Sequence, residues 1–441
     1  MPAPANTLHA RWKSTFLVKA QTRPLATYRP RPEALPHSRA HASDSHSSLT
    51  KNTVQPMRQA MVIGAGLAGA AACIALARRG WAISLLDAAQ GPAQAASALP
   101  VGMLSPHVTR APTPLSRLSA AGVADTQAEL KRLVPPGQGW QACEIDNLGH
   151  DPGRWPAALV RPAALVQAWL AEAGRLTTVQ PIWGANVQRL ERSETGQWLA
   201  LDDEGQSIAQ GDAVVVAGAW GSLGLLSASL AGGASLADAL PLRPVKGQMS
   251  LGPLVGQPKE ARPRRDNGVF VPCYEDSGLP PQWPARVWSM GSTYERGEYT
   301  THVTEEGHTR NAESLSKLSA AGTDSMRLAA QAGELRGWAQ VRCASLDRLP
   351  LVGAIPDVAA LHHHMTQAGP RRNRLALVQV PRVSGLYTLS ALGSRGITLA
   401  HSMGTLLASL MDGETPSLES DLVQALDPAR FAWRQARRQS T

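Results

Sequence analysis

At 441 residues the chain can bury a sizeable core and form two or three domain-sized units, and its 43% apolar and 17% charged residues are a globular composition. No run approaches the ~18 uncharged apolar residues of a membrane helix, because the best candidate, Gly64 to Ala77, stops at Arg78-Arg79. Of the net charge of +9, +7 lies between Met1 and Arg58, where nine Lys/Arg face only Glu33 and Asp44, so the body is only mildly basic.

Residues 1–58 are rich in Pro, Ser, His and Arg without sustained periodicity and read as a disordered or linker-like basic tail. Such a tail attracts a polyanion such as RNA through counterion release. It equally fits a solvated extension or an Arg-rich, acid-poor targeting peptide. No charged-then-apolar leader with a small-residue cleavage site is visible, and Cys73, Cys143, Cys273 and Cys343 lie far apart without a CxxC pair. Reduced thiols in a cytoplasmic protein are expected.

Ordered structure is expected from Gln59. Ala60 to Ile63 reads as a short buried strand, Gly64 to Gly69 as a turn, Ala70 to Arg79 as a helix ended by Gly80, and Trp81 to Asp87 as a second strand. Pro162 to Glu172 reads as a helix, and Val187 to Arg192 with Trp198 to Asp203 as a hairpin. The apolar run Ala213 to Ala217 has the character of a central parallel strand. From Leu251 to Ala339 scattered Pro, Gly and charge mark a second, mixed domain, with strands near Val269 and Val287 and a helix over Asn311 to Ala321. Leu375 to Val380 and Leu386 to Leu389 read as strands, and Ile397 to Met411 as an apolar helix. His362-His363-His364 has no carboxylate or Cys nearby and reads as an exposed loop, so no metal site is expected.

The turn Gly64-x-Gly66-x-x-Gly69 sits between a predicted strand and helix, the context that gives this motif meaning. Gly64 permits the tight turn, Gly66 lets backbone N–H groups approach a pyrophosphate, and Gly69 allows close strand–helix packing. The helix N-terminus then presents partial positive charge to the phosphates. Asp87, 23 residues after Gly64, stands at the end of strand two, where it can accept from a ribose hydroxyl. The plainer reading is a glycine-rich turn in an ordinary α/β protein. Two later segments favour FAD over NAD. Val214 to Trp220 is a buried strand ending in small residues, and Gly393-Ser394-Arg395-Gly396 precedes the apolar helix. A glycine turn at a helix N-terminus stabilises the negative charge of a reduced flavin, although such a turn also serves as a plain cap.

The segments MVIGAGLAG, VVVAGAW, PLRPVKGQM, VRCASLDRLPLVGAIPD and GLYTLSALGSRGITLA together resemble the D-amino-acid-oxidase-like superfamily of FAD enzymes. Within it, Cys343-x-x-x-Asp347-Arg348-Leu349-Pro350-x-x-Gly353, the Gly393 to Gly396 turn and the ending Leu426 to Phe431 resemble one branch. That branch is the FAD-dependent carboxyl-terminal half of the bifunctional tRNA 5-methylaminomethyl-2-thiouridine biosynthesis family. The likeness covers about residues 60–435. Two departures stand out: Ala96-Ser97-Ala98-Leu99 keeps only the serine of the usual Ser-Gly-polar segment, and Lys131 to Arg161 is short. The 58 residues ahead of the first strand cannot hold the methyltransferase half, so a separate methyltransferase is the expected partner.

The resemblance implies an α/β fold, with a glutathione-reductase-like FAD-binding domain over 59–130, 157–240 and 340–435. A mostly antiparallel (α+β) substrate domain, 131–156 and 241–339, is inserted into it. It implies a cofactor set of Gly64, Ala65, Gly66, Leu67, Ala68, Gly69, Asp87, Ser97, Val187, Ala217, Gly218, Gly393, Ser394, Arg395, Gly396 and Ile397. The implied reaction is oxidation of the carboxymethylaminomethyl group on the tRNA wobble uridine, releasing glyoxylate and leaving aminomethyl-uridine. The alternative is oxidation of a free small amino acid such as glycine. Arg342 is the first candidate to grip a carboxylate, with a surface ion pair as its plainer role, and Arg395 is the second. Lys246 and Gln248 line either the site or a core-adjacent crossover, and Tyr294 is a further substrate candidate.

Overall fold

Ala60, Met61, Val62 and Ile63 carry no polar side chain, so they are stable only deep within a sheet. In the computed structural model, which describes residues 57–230, 233–281, 283–368 and 375–438, Gln59–Ile63 is such a strand. It pairs in parallel with Ala82–Asp87 on one side and Ala213–Val216 on the other. The sheet extends in parallel to Val179–Trp183 and to Arg382–Ser390, and antiparallel Leu351–Pro356 closes one edge.

Because side chains alternate along a strand, this layer has two cores. Ala60 and Val62 face one with Ile74, Trp169 and Leu407. Met61 and Ile63 face the other with Leu226, Leu361 and Phe431. Helices Leu67–Ala77, Pro162–Leu176 and Gly396–Met411 supply the first core, as parallel strands buried on both faces require.

A nine-stranded sheet forms the second layer, and every pairing in it is antiparallel except Arg264–Asp266 against Trp140–Asn147. Its axis is the long strand Leu242–Pro253, flanked by Arg286–Gly291 and by Arg336–Ser345. The short strand Gly102–Leu104 ends the sheet on Gly153–Val160. The predicted hairpin is present as Arg189–Arg192 and Trp198–Leu201, with Ser207–Gly211 as a third strand that its mixed composition did not reveal.

Several elements differ from the sequence reading. The helix expected over Asn311 to Ala321 is two helices, Glu305–Leu318 and Ala320–Gln331. Thr304 and Ser319 each cap one, accepting from the N–H of Gly307 at 3.1 Å and of Gly322 at 2.7 Å. Leu375 to Val380 is not a strand. Leu377–Gln379 is a single 3-10 turn, and Pro381 has no N–H to extend a ladder, so the strand starts at Arg382. The three histidines lie not in a loop but on the helix Val358–Ala368, exposed. The tail expected over residues 1–58 lies outside the described residues except Met57 and Arg58. Arg58 pairs with Asp412 at 2.7 Å and lies over the Trp81 ring.

Two of the quoted motifs meet in space. Arg430, 1% exposed, donates to both oxygens of Asp347 at 2.8 and 3.0 Å and to the carbonyls of Leu349, Leu426 and Asp427. Burial would raise the Asp347 pKa, but the guanidinium outweighs it and holds the carboxyl below its ordinary value. Arg430→Ala leaves Asp347 with only Arg434, 3.5 Å away, as a cationic partner and is expected to cost about 1–3 kcal/mol in urea unfolding at neutral pH. Since the folded pKa is depressed, this contribution exists above the unfolded pKa and is lost as pH falls through the folded one. The gap between parent and variant therefore shrinks on acidification, and a gap that stays constant into strong acid contradicts the pairing.

Candidate functional site

The glycine turn is built by close approach. Gly64 has φ +108°, and a Cβ there would sit 2.7 Å from the Ala217 carbonyl oxygen. At Gly69 a Cβ would run into the Gly64 carbonyl. Gly66 occupies the N-cap position of Leu67–Ala77 and has no side chain to cap it. Instead the Leu67 N–H donates to Ser97 Oγ at 3.0 Å. The Asp87 carboxylate accepts from the N–H of Ala65 at 2.6 Å and of Ala89 at 2.8 Å. These bonds hold it at the mouth of the turn, with one lone pair left on each oxygen.

A cleft runs from this turn to the nine-stranded sheet. It brings together Gly66, Leu67, Ala68, Ser97, Ala217, Arg342, Gly393, Ser394, Gly396 and Ile397. Gly64, Ala65, Gly69 and Gly218 form the turn and strand end around it, not its lining. Val187 packs half-buried against the second core. The helix Gly396–Met411 starts at the cleft with no side-chain cap. Two helix N-termini therefore offer backbone N–H groups and partial positive charge to one space.

The cleft's other wall comes from the strand Arg336–Ser345, which contributes Trp338, Gln340, Val341, Arg342 and Cys343. Of these, only Arg342 is a site residue in the sequence reading; alternation along the facing strand Leu242–Pro253 brings Gly247 to the same wall. Gly247 was also missed. A Cβ at Gly247 would lie 2.7 Å from Arg342 Cζ, so its bareness makes room for the guanidinium. The same alternation turns its neighbours away. Lys246 Nζ points to Thr300 Oγ1 at 3.5 Å, and the Gln248 amide bridges the backbone of Thr304 at 2.8 Å twice. Neither reaches the cleft.

Arg342 is the one charged side chain lining this cleft among the described residues. Its Nη1 donates to the hydroxyls of Ser292 and Ser394, both at 3.1 Å. Its Nη2 donates to the carbonyls of Thr293 at 2.7 Å and Lys246 at 3.3 Å. The Nε–H is buried with no partner, and no carboxylate pairs with the group among the described residues. Burial pushes its pKa down, opposed by Tyr294, whose ring centre is 5.2 Å from Cζ.

Arg395 points elsewhere, to His107 Nδ1 at 3.0 Å. Burial, then Arg395, Arg265 and Arg348, lower the His107 pKa to about 4, so the ring is neutral at physiological pH and can accept from Arg395. Cys343 lines the cleft too, but burial pushes its thiol up to about 11, which keeps it protonated and inert.

The donor set fits FAD: a glycine cradle, two helix N-termini at one cleft and a carboxylate at the end of strand two. Comparison with known proteins agrees. The FAD dependent oxidoreductase (DAO) family profile matches residues 59–158 and 150–410. The chain is 33% identical to the tRNA 5-methylaminomethyl-2-thiouridine biosynthesis bifunctional protein MnmC of Verminephrobacter eiseniae, over 85% of this chain and 64% of that protein. It is also 33% identical to the protein of the same name from Delftia acidovorans, over 86% and 61%. The chain thus spans less than two thirds of these relatives' length. Among solved structures, glycine oxidase from Geobacillus kaustophilus superposes with TM-score 0.61 at 17% identity, covering 85% of this chain and 99% of that one.

At Gly66 an added Cβ would come within 3.0 Å of Ser97 Oγ and narrow the cradle. Gly66→Val is expected to yield a folded, colourless protein, read from visible absorbance beside far-UV circular dichroism. Stoichiometric FAD in the folded variant would show that the phosphates lie elsewhere.

Proposed function

Because the chain belongs to the FAD dependent oxidoreductase family and its cofactor is FAD, we propose that it oxidises the carboxymethylaminomethyl group on the wobble uridine of tRNA. The products are glyoxylate and aminomethyl-uridine. The observation that carries this reading is Arg342: a half-buried cation, oriented by four neutral oxygens and paired with no carboxylate among the described residues, at the wall of the cleft that fits FAD. A substrate carboxylate supplies the missing charge. Nε–H has no partner, and the 3.3 Å contact from Nη2 to Lys246 is the weakest of the four, so the guanidinium keeps hydrogen-bonding capacity beyond these contacts.

When bound, FAD supplies the two-electron oxidant that accepts a hydride from the CH2 between amine and carboxylate. The rest of the task is positioning, and Arg342 does it by fixing the carboxylate next to that CH2. Among the described residues the cleft lining holds no carboxylate and no histidine, so the amine enters already deprotonated and no protein base is used. Water then hydrolyses the imine. Leu67, Leu99, Leu389, Leu392 and Ile397 line the space with apolar surface and limit water around the reacting carbon.

The tRNA assignment rests on the names and the identity of the two relatives. With it comes a methylation of the amine product, and a place in the cytoplasm beside tRNA. No helix among the described residues is long and apolar enough to cross a membrane. We assign the six-stranded layer to a glutathione-reductase-like FAD domain and the nine-stranded sheet to the substrate side.

Arg342→Ala is expected to lower the efficiency of anaerobic flavin reduction by carboxymethylaminomethyl-modified tRNA roughly thirty- to a thousand-fold, about 2–4 kcal/mol. FAD content stays near that of the parent. Arg342→Lys recovers only part, since an ammonium lacks the planar fork. Undiminished reduction in Arg342→Ala would mean that the carboxylate is held elsewhere. Parent protein reduced by free glycine and not by the tRNA would replace the substrate assignment with a small amino acid.

A further inference from the structure

A second cleft, of about 1270 Å³, lies beside the first and shares its walls. Ala219 lines one and Trp220 the other; Arg342 lines one and Ala344 the other. Tyr294 belongs to the second cleft, and its ring stands 5.2 Å from the Arg342 guanidinium.

The chemistry of this neighbour is different. Three aromatic rings, Trp220, Tyr294 and Tyr299, and three arginines, Arg243, Arg296 and Arg348, line it, and no carboxylate does. Tyr294 and Tyr299 are 47% and 60% exposed, unusual for rings with no role in a core. Trp220 and Tyr299 meet at 5.6 Å between centres with planes tilted by 54°, and Arg296 lies 5.8 Å over Tyr294. None of the three arginines makes an ion pair among the described residues. The acids of the adjoining loop are turned to other partners. Glu295 binds Thr293 and Arg310, and Glu298 accepts from the backbone of Tyr299 and Thr300.

Exposed rings interleaved with unpaired guanidinium groups are what an unstacked, single-stranded nucleic acid needs. Bases have two π-faces to cover and the phosphates between them carry the opposite charge. We propose that this cleft seats the unpaired nucleotides flanking the reacting uridine, with bases stacked on Tyr299, Trp220 and Tyr294 and phosphates on Arg243, Arg296 and Arg348. The inference rests on the tRNA reading above and adds where the RNA lies. The uridine side chain enters the first cleft across Tyr294 while its neighbours stay in the second.

The test uses FAD-loaded full-length protein and carboxymethylaminomethyl-modified tRNA, with equilibrium binding followed across a salt series. Tyr299→Ala is expected to raise Kd about tenfold, and Tyr299→Phe, which keeps the ring, to stay near the parent. Arg296→Gln is expected to raise Kd and to flatten the slope of log Kd against log salt by about 0.7. FAD content reports that each variant is folded. If the parent is reduced by the tRNA while Tyr299→Ala and Arg296→Gln bind it as tightly and with the same slope, the cleft is not the RNA seat and the function stands. A parent that neither binds nor is reduced by that tRNA overturns both.

Discussion

A half-buried guanidinium with no acid beside it among the described residues is the constraint around which this site is arranged. Taking a charge out of water is costly unless something replaces its hydration. At Arg342 the replacement is four neutral oxygens, which orient the group and leave its charge available. Gly247 makes room for it by having no side chain. One of its hydroxyl partners, Ser394, belongs to the Gly393–Arg395 turn that opens the helix Gly396–Met411. Another, Ser292, follows the Arg286–Gly291 strand of the nine-stranded sheet. One side chain thus ties the two layers together at the cleft they share.

The second arginine named at the outset shows why residue type alone does not assign a role. Arg395 is half-buried and lacks an acid among the described residues just as Arg342 does, yet it faces a neutral His107, and its pKa is lowered by burial and by Arg265. It does not line the cleft. Arg430 shows the opposite case. It is even more buried, but Asp347 neutralises it, and its work is to join the segment at 345–350 to the chain's last described helix.

Backbone-determined parts of the molecule were the most legible in the sequence. Gly64 and Gly69 each answer a steric demand that only glycine meets, and the apolar runs at 60–63 and 213–217 are too uniform to be anything but central strands. Long-range consequences were not legible. The pairing of Leu242–Pro253 with Arg336–Ser345 decides which face each residue presents, and it sends Gly247 to the cleft while Lys246 and Gln248 face away. No local pattern carries that register. The helix break at Ser319 and the turn at Leu377–Gln379 depend on a cap and on Pro381, local signals outweighed by hydrophobic periodicity in the sequence reading.

The account's central claim is that the cation at the flavin cleft serves the carboxylate of a tRNA side chain. Mass analysis of modified nucleosides in tRNA from cells lacking this chain tests it most directly. The account predicts that carboxymethylaminomethyl-uridine accumulates and that the aminomethyl form and its methylated product fall together. A nucleoside profile identical to that of the parent cells would contradict it.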